Sequence, residues 1–445
     1  MRGRDGEVYL LRSETHGGLL SGGLMNVMSP LPQGTANRPP AYVISRSNCN
    51  GYGVLRNLYK AGVPVVSIDS NPKNVTFYSR YAASALCPNW EQQEDAFVEF
   101  LVTLGKKQRY RPVLFCTGDT NLSAVLRHRD RLEAYYHLPP AEWPVVETLV
   151  NKEYFYRALE KLGVPHPQTY YPKSLAEVEL LSGQLDYPYI VKPVQSTHFA
   201  GKFGVKCWRV DTPPQLVAAY QRAVSAGEIV LIQKEVPGQE RYVVYMFFDH
   251  TGQLKGSCCY RKVRLHPIDY GNACSCESVA LPEAVALGKC VLQALGYRGL
   301  AEPETQLDLH DGQLKLIEIN ARTTTQTRLA RRCGLNIEYL AYCDALHVPL
   351  PEIPDPELGI KWFDLIRDFA AVFWENGYLA RRQLTLRDWW RSLHGKREYA
   401  MLAWDDPVPF LLSAWPDFRS LAMKCTKTLW ATVGRLGQIN NPENR

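Results

Sequence analysis

The chain has 445 residues, 46% of them hydrophobic and 22% charged, with a net charge of +6, which excludes a disordered, fibrous or collagen-like chain and leaves room for two to four globular domains. No run approaches the roughly 18 uncharged apolar residues of a membrane span, and the N-terminal residues lack a signal-peptide apolar core, so the expected location is the cytoplasm. The mild positive charge suits a phosphorylated or otherwise anionic substrate and serves solubility equally well.

Residues 1–40, rich in Gly, Ser, Pro and Met without a sustained period, read as a disordered tail, with Met25 and Met28 as alternative starts. A strand over 41–45 leads through Arg46-Ser47-Asn48-Cys49-Asn50-Gly51 into a helix over 53–61 and a second strand over 63–69. A helix over 94–105 and a strand over 112–116, ending in Thr117-Gly118-Asp119, continue an α/β unit with a parallel sheet, expected over 41–140. Asn151 caps a helix over 152–162, which Gly163 and Pro165 stop. The next stretch changes character. A short proline-edged strand over 187–193 is followed by a loop over 195–204, a strand over 205–210, a helix over 214–226 and an apolar strand over 229–233. Alternating segments over 241–249 and 254–264 suggest an antiparallel sheet with helices on one side. The proline-rich stretch 351–356 reads as a linker to a helical, aromatic and basic region over 351–445. Twelve cysteines show no repeated zinc spacing and read as buried, reduced thiols, with a metal role for Cys274 and Cys276 as the lesser alternative.

The segment Glu302-Pro303-Glu304, a glycine-containing turn and Leu316-Ile317-Glu318-Ile319-Asn320-Ala321-Arg322 read as an acid β-hairpin. Alternation puts Glu318 and Asn320 on one face and Ile317 and Ile319 on the other. If His310-Asp311-Gly312 is a three-residue loop with Gly312 left-handed, Glu304 lies opposite Glu318 and Glu302 opposite Asn320; a tight two-residue turn would break that register. Opposed carboxylates repel unless a proton or cation lies between them, and hard oxygens with an amide suit Mg²⁺ or Mn²⁺. The alternative is a solvent-facing acidic strand. Lys192 ends a strand before a small polar loop, as a point charge for phosphate oxygens would. That loop, 196–204, reads as a phosphate lid or as an ordinary hairpin loop, and Lys206 as a further phosphate contact or a surface lysine. In Leu231-Ile232-Gln233-Lys234-Glu235-Val236-Pro237-Gly238-Gln239-Glu240 an apolar strand ends in a linker able to hydrogen-bond an adenine edge, followed by a carboxylate placed for ribose hydroxyls.

In this order the motifs resemble the ATP-grasp superfamily, and among its members the carboxylate-amine ligases similar to the ATP-binding half of the carbamoyl-phosphate synthetase large subunit. The resemblance covers roughly residues 40–350 and is strongest over 150–322. It implies an N-terminal pre-ATP-grasp α/β domain (41–140), a two-lobed α+β ATP-grasp domain (141–350, lid about 165–235) and the C-terminal extension. It implies Lys152 and Lys192 as nucleotide-binding lysines, Gln233, Lys234 and Val236 as the adenine linker and Glu240 as the ribose carboxylate. Glu304, Glu318 and Asn320 match the ligands of Mg²⁺ or Mn²⁺. The resemblance implies Arg322, after the metal motif, and Lys262 and Arg264 as catalytic cations. Arg261, Lys262 and Arg264 fall on the strand that presents positive charge to the transferring phosphate in such ligases. Which of them points inward stays open, alternation putting Lys262 and Arg264 on one face and Arg261 with Val263 on the other. The implied reaction is ATP-dependent: a small-molecule carboxylate becomes an acyl phosphate, and an amine displaces phosphate to give an amide. Glu302 is a supporting or surface residue. The lid lacks the triple glycine of many relatives, and Gln233 stands where many carry glutamate.

Two rivals stand beside this reading. Gly51-Tyr52-Gly53 after the first strand and Asp69 after the second suggest an NAD(P)-dependent Rossmann oxidoreductase, but Arg56 occupies the place of the third glycine. Asp119 reads as a substrate contact or a helix cap. The tryptophans and arginines of 358–430 suggest a non-catalytic module or a peripheral contact with the inner face of a membrane. The commoner arrangement is aromatics in the core and arginines in solvent, and no nucleic acid is expected.

Overall fold

The computed structural model describes residues 38–46 and 48–414. Most of the tail expected over 1–40, and the part of the C-terminal region beyond 414 that includes Trp415, lie outside the described residues. Three sheets organise the rest. The first is parallel, in the order β3-β2-β1-β4, built from β1 (Ala41–Ile44), β2 (Val65–Asp69), β3 (Ala83–Leu86) and β4 (Val113–Cys116). All residues of β1, β2 and β4 are buried, as strands covered by helices on both faces must be. The glycines that suggested a dinucleotide fingerprint serve close packing instead. A Cβ on Gly51 would lie 2.1 Å from Ser45 Oγ, and one on Gly53 would lie 2.5 Å from Thr327 Cγ2.

The second sheet, in the order β5-β8-β6-β7, forms a small lobe from β5 (Thr169–Tyr170), β6 (Tyr189–Pro193), β7 (Trp208–Val210) and β8 (Val230–Lys234). Residues expected as a loop here form a helix, Ser196–Phe203, which Gly204 ends at φ 68°. Phe199 is fully buried between Phe203 and Trp208, both with ring centroids 4.7 Å away. Aromatic burial overrides the local loop signal.

The third sheet has seven strands in the order β13-β12-β9-β10-β11-β14-β15. Its members are β9 (Arg241–Phe248), β10 (Leu254–His266), β11 (Asn272–Ser278), β12 (Gly299–Leu307), β13 (Leu314–Asn320), β14 (Lys361–Phe363) and β15 (Arg397–Tyr399). The last two lie in the region expected to be helical, which carries the helices Leu365–Phe373 and Leu386–Ser392 and adds these two strands to them. β14 pairs with β11 and β15 with β14, so the chain after the proline-rich stretch extends the central sheet. Trp362 is buried in it, while Trp390 and Trp404 are exposed. Among the described residues no helix is long and apolar enough to cross a membrane.

Candidate active site

A cleft of about 710 Å³ lies between the small lobe and the central sheet, lined by seven basic and four acidic side chains. Such a surplus favours a polyanion. The acid hairpin forms its floor. Glu304 pairs with Glu318 and Glu302 with Asn320, the register expected from the sequence, but the turn does not set it. The connection spans 308–313 with Gly312 at φ 70°, and nearer the turn Thr305 faces Leu316. Ile317 is an extra residue, a β-bulge that shifts the ladder by one just before Glu318. Leu316 and Ile319 therefore share the buried side, and Ile317 joins Glu318 in the cleft, against the expected pairing of Ile317 with Ile319.

Burial alone would raise the Glu318 carboxyl. Lys152, Lys206, Lys262 and Lys192 overcome that and bring it down to about 2, so it stays ionised at neutral pH. Lys152 opens the helix Lys152–Leu162, whose cap Asn151 accepts from the N–H groups of Glu153 and Tyr154 at 3.0 and 3.2 Å. Its ammonium is lowered chiefly by burial, with Glu318 opposing. Lys192 donates to Tyr156 Oη at 2.8 Å, and burial takes it down to about 8. Lys206 reaches Asn272 Oδ1 at 2.6 Å. Lys262 is ion-paired with Glu304, whose charge raises the lysine despite its burial.

The linker is braced rather than free. The Gln233 amide donates to Thr169 Oγ1 at 2.7 Å, and Lys234 pairs with Asp186 at 2.9 Å. Gln306 donates to the carbonyls of Val236 and Gly238 at 2.9 and 2.8 Å. Gln233, Lys234 and Val236 all line the cleft.

Four expected positions lie outside the cleft lining: Glu240, Arg264, Arg322 and, at the end of β13, Asn320. Glu240 is exposed, accepts from Tyr242 Oη at 2.7 Å and is not among the lining residues. Arg264 lies on the opposite side of β10 from Lys262, because Val263 is an extra residue between them and breaks the alternation. Its buried guanidinium clasps Asp368 at 2.6 and 3.2 Å. Arg322 sits just outside the cleft lining, bidentate to Asp119 at 2.8 and 3.0 Å and 3.2 Å from Asn320 Oδ1. Glu302 is buried beneath the floor, where it accepts from Tyr260, Thr324 and the Asn320 amide and so orients Asn320. Cys274 and Cys276 are buried, and burial raises both thiols, which argues against thiolate ligands.

Four residues escaped the sequence reading. Tyr156, one turn beyond Lys152, binds Lys192 and donates to the Ile317 carbonyl at 2.6 Å; its i, i+4 spacing from Lys152 was the signal available. Arg241 lines the cleft and donates to Gln306 at 3.1 Å. Glu235 accepts from Arg209 at 2.7 Å and from the Tyr270 hydroxyl. Tyr378 comes from the C-terminal extension, and no local pattern announces it.

Solved structures share this architecture: an L-amino acid ligase from Bacillus licheniformis (TM-score 0.57, 17% identity, 69% of this chain and 74% of that one) and a biotin carboxylase from Campylobacter jejuni (0.58, 16%, 72% and 74%). The fold is that of the ATP-grasp ligases. No family model matches the sequence. The chain is 24% identical over 318 residues to a D-aspartate ligase from Enterococcus faecium, covering 66% of this chain and 74% of the relative. It is 23% identical over 337 residues to the carbamoyl phosphate synthase large chain of Thermotoga petrophila, of which it spans 30%.

Among the described residues no three His, Cys, Asp or Glu side chains gather as a ready metal cage. The hairpin instead offers two carboxylates and an amide, with Glu318 held ionised. That incomplete set of hard oxygens fits Mg²⁺, which keeps several waters and takes phosphate oxygens.

Proposed function

We propose that this chain is an ATP-dependent, ADP-forming carboxylate-amine ligase. The observation that carries the reading is the acid hairpin, with Glu318 set among four lysines in a cleft between two lobes. In this reading the linker Gln233 to Val236 holds the adenine, Lys152, Lys192 and Lys206 hold the phosphates, and Glu304, Glu318 and Asn320 hold the metal. Mg²⁺, when bound, supplies charge neutralisation at the phosphates. The substrate carboxylate attacks the γ-phosphorus, expelling ADP and leaving an acyl phosphate. The amine then attacks the acyl carbon and inorganic phosphate departs, giving an amide. With Mg²⁺ bound, Glu304 would serve the metal, and the Lys262 ammonium, which pairs with Glu304 here, would be free to face the transferring phosphoryl group. Arg322, fixed by Asp119, orients Asn320; Arg264 and Glu240 have no part at the reacting atoms.

The relatives named for amino acid ligation direct the choice of substrates to test. Purified full-length protein is incubated with ATP, Mg²⁺ and pairs of amino acids, with ADP and phosphate measured by coupled assay and amides by mass spectrometry. ADP, phosphate and amide are expected in equal amounts only when carboxylate and amine are both present. NADH binding without ATP binding would overturn the assignment.

A further inference from the structure

Among the described residues lining the cleft, Tyr378 alone comes from beyond residue 350. Its place is heavily specified. Gly377 precedes it, and a Cβ there would lie 2.6 Å from the Ala371 carbonyl oxygen and 2.8 Å from that of Trp374, so the turn that delivers Tyr378 requires glycine. The Tyr378 N–H bonds to the Ala371 carbonyl at 2.8 Å, and its hydroxyl accepts the Leu265 N–H at 3.0 Å. The helix Leu365–Phe373 that carries the turn is anchored by the buried Arg264–Asp368 clasp.

The loop 267–271 between β10 and β11 lines the same cleft as this tyrosine and is tied on both sides. Arg381 of the extension holds Asp269 at 2.7 Å. On the lobe side, the Tyr270 hydroxyl bonds to Glu235 in the linker. Tyr270 has φ 59°, a costly conformation for a bulky residue, held only where the surroundings over-determine it. Because the loop meets the linker, it lies at the end of the cleft where the nucleoside belongs.

We propose that the C-terminal extension builds a third wall of the nucleotide cleft, with Tyr378 facing the nucleoside and Arg381 a positioning residue that sets the loop through Asp269. The proposal rests on the ATP-binding reading above. It is tested on the full chain by displacement of trinitrophenyl-ADP with ADP and with inorganic pyrophosphate, alongside thermal melts. Tyr378→Ala is expected to weaken ADP about tenfold or more, as loss of a buried aromatic contact does, and to leave pyrophosphate unchanged. Tyr378→Phe restores most of the loss. Arg381→Ala removes an exposed ion pair and weakens ADP by up to about fivefold, while Arg387→Ala, elsewhere on the extension, changes nothing. Should Tyr378→Ala fail to fold, Arg381→Ala carries the test. Unchanged ADP affinity in the folded variants, or equal losses for ADP and pyrophosphate, overturns the wall. Failure of the wild type to bind ADP overturns the ATP-dependent reading instead.

Discussion

Lys192 gives the most direct physical test of the nucleotide site. Burial brings its ammonium down to about 8, with Glu318 resisting the shift. At pH 9 the nucleotide-free protein therefore carries the Lys192 proton in about one molecule in ten. A phosphate chain beside the ammonium favours the charged form and returns it towards the ordinary lysine value near 10.4, where protonation at pH 9 exceeds about 90%. Binding should accordingly take up about 0.9 proton at pH 9 and about 0.1 at pH 7. Titration calorimetry with ADP, in buffers of different ionisation enthalpy, reads this number as a slope. The difference between wild type and Lys192→Met cancels any proton exchanged by the nucleotide. Stability follows the same linkage. Between pH 8 and 10.5 the unfolded chain holds more protons than the folded one, so the nucleotide-free protein should gain stability with rising pH across that window, by at most about 3 kcal/mol. Equal slopes at pH 7 and 9, or uptake that survives in Lys192→Met, would refute the placement of Lys192 beside the phosphates.

Glu318→Ala removes a hard oxygen ligand and the counter-charge of four lysines; Mg²⁺-dependent ADP release is expected to fall about 100-fold or more, and full activity in this variant would falsify the metal assignment. Glu338 is fully buried, accepts from Asn57 at 2.9 Å and Tyr245 at 2.8 Å, and burial raises it to about 7. Its raised folded pKa means that stability is fully present below about pH 4.5 and falls as pH rises to about 7, so Glu338→Gln should gain on wild type by up to about 3 kcal/mol over that window in urea unfolding. Parallel pH profiles of the two proteins would show that Glu338 does not titrate there. Arg264→Ala leaves Asp368 buried without its partner and should cost about 3–5 kcal/mol of stability, with Asp368→Ala less than additive in the double variant. Additive losses would mean that the two side chains do not form one unit.

The parts of this protein legible in its sequence are those whose signal is local. Asn151 and Gly163 bracket a helix as a cap and a left-handed stop, and the structure has both. Of the parallel sheet, β1, β2 and β4 follow from short, mostly apolar runs alternating with helical periods, whereas β3, the short run Ala83–Leu86, gives no such signal and is not among the expected strands. What the sequence hid depends on distant partners. β14 and β15 are three residues each, too short to show a period, and become strands only by pairing with β11 and with each other. The helix Ser196–Phe203 reads as a loop because its glycine and hydroxyls suggest one, while its decisive contact is with Trp208 on the next strand. Tyr378 and Asp119 act through Leu265 and Arg322, 113 and 203 residues away, and no window of sequence contains either pair.

The two misread faces have one physical cause, and it bears on how the site works. Strict alternation would place Ile317 with Ile319 and Arg264 with Lys262. A single extra residue in each strand undoes both. At β13 the bulge lets Leu316 stay in the core while Glu318 still meets Glu304, so the hydrophobic register near the turn and the acid register at the cleft coexist on one strand. At β10 the bulge sends Lys262 to the acid floor and Arg264 to Asp368 on the other side. An unbroken strand would put both cations on the cleft face and leave Asp368 buried without the charge that satisfies it. The bulges therefore divide the charges between catalysis and architecture, and deleting Val263 should harm both at once.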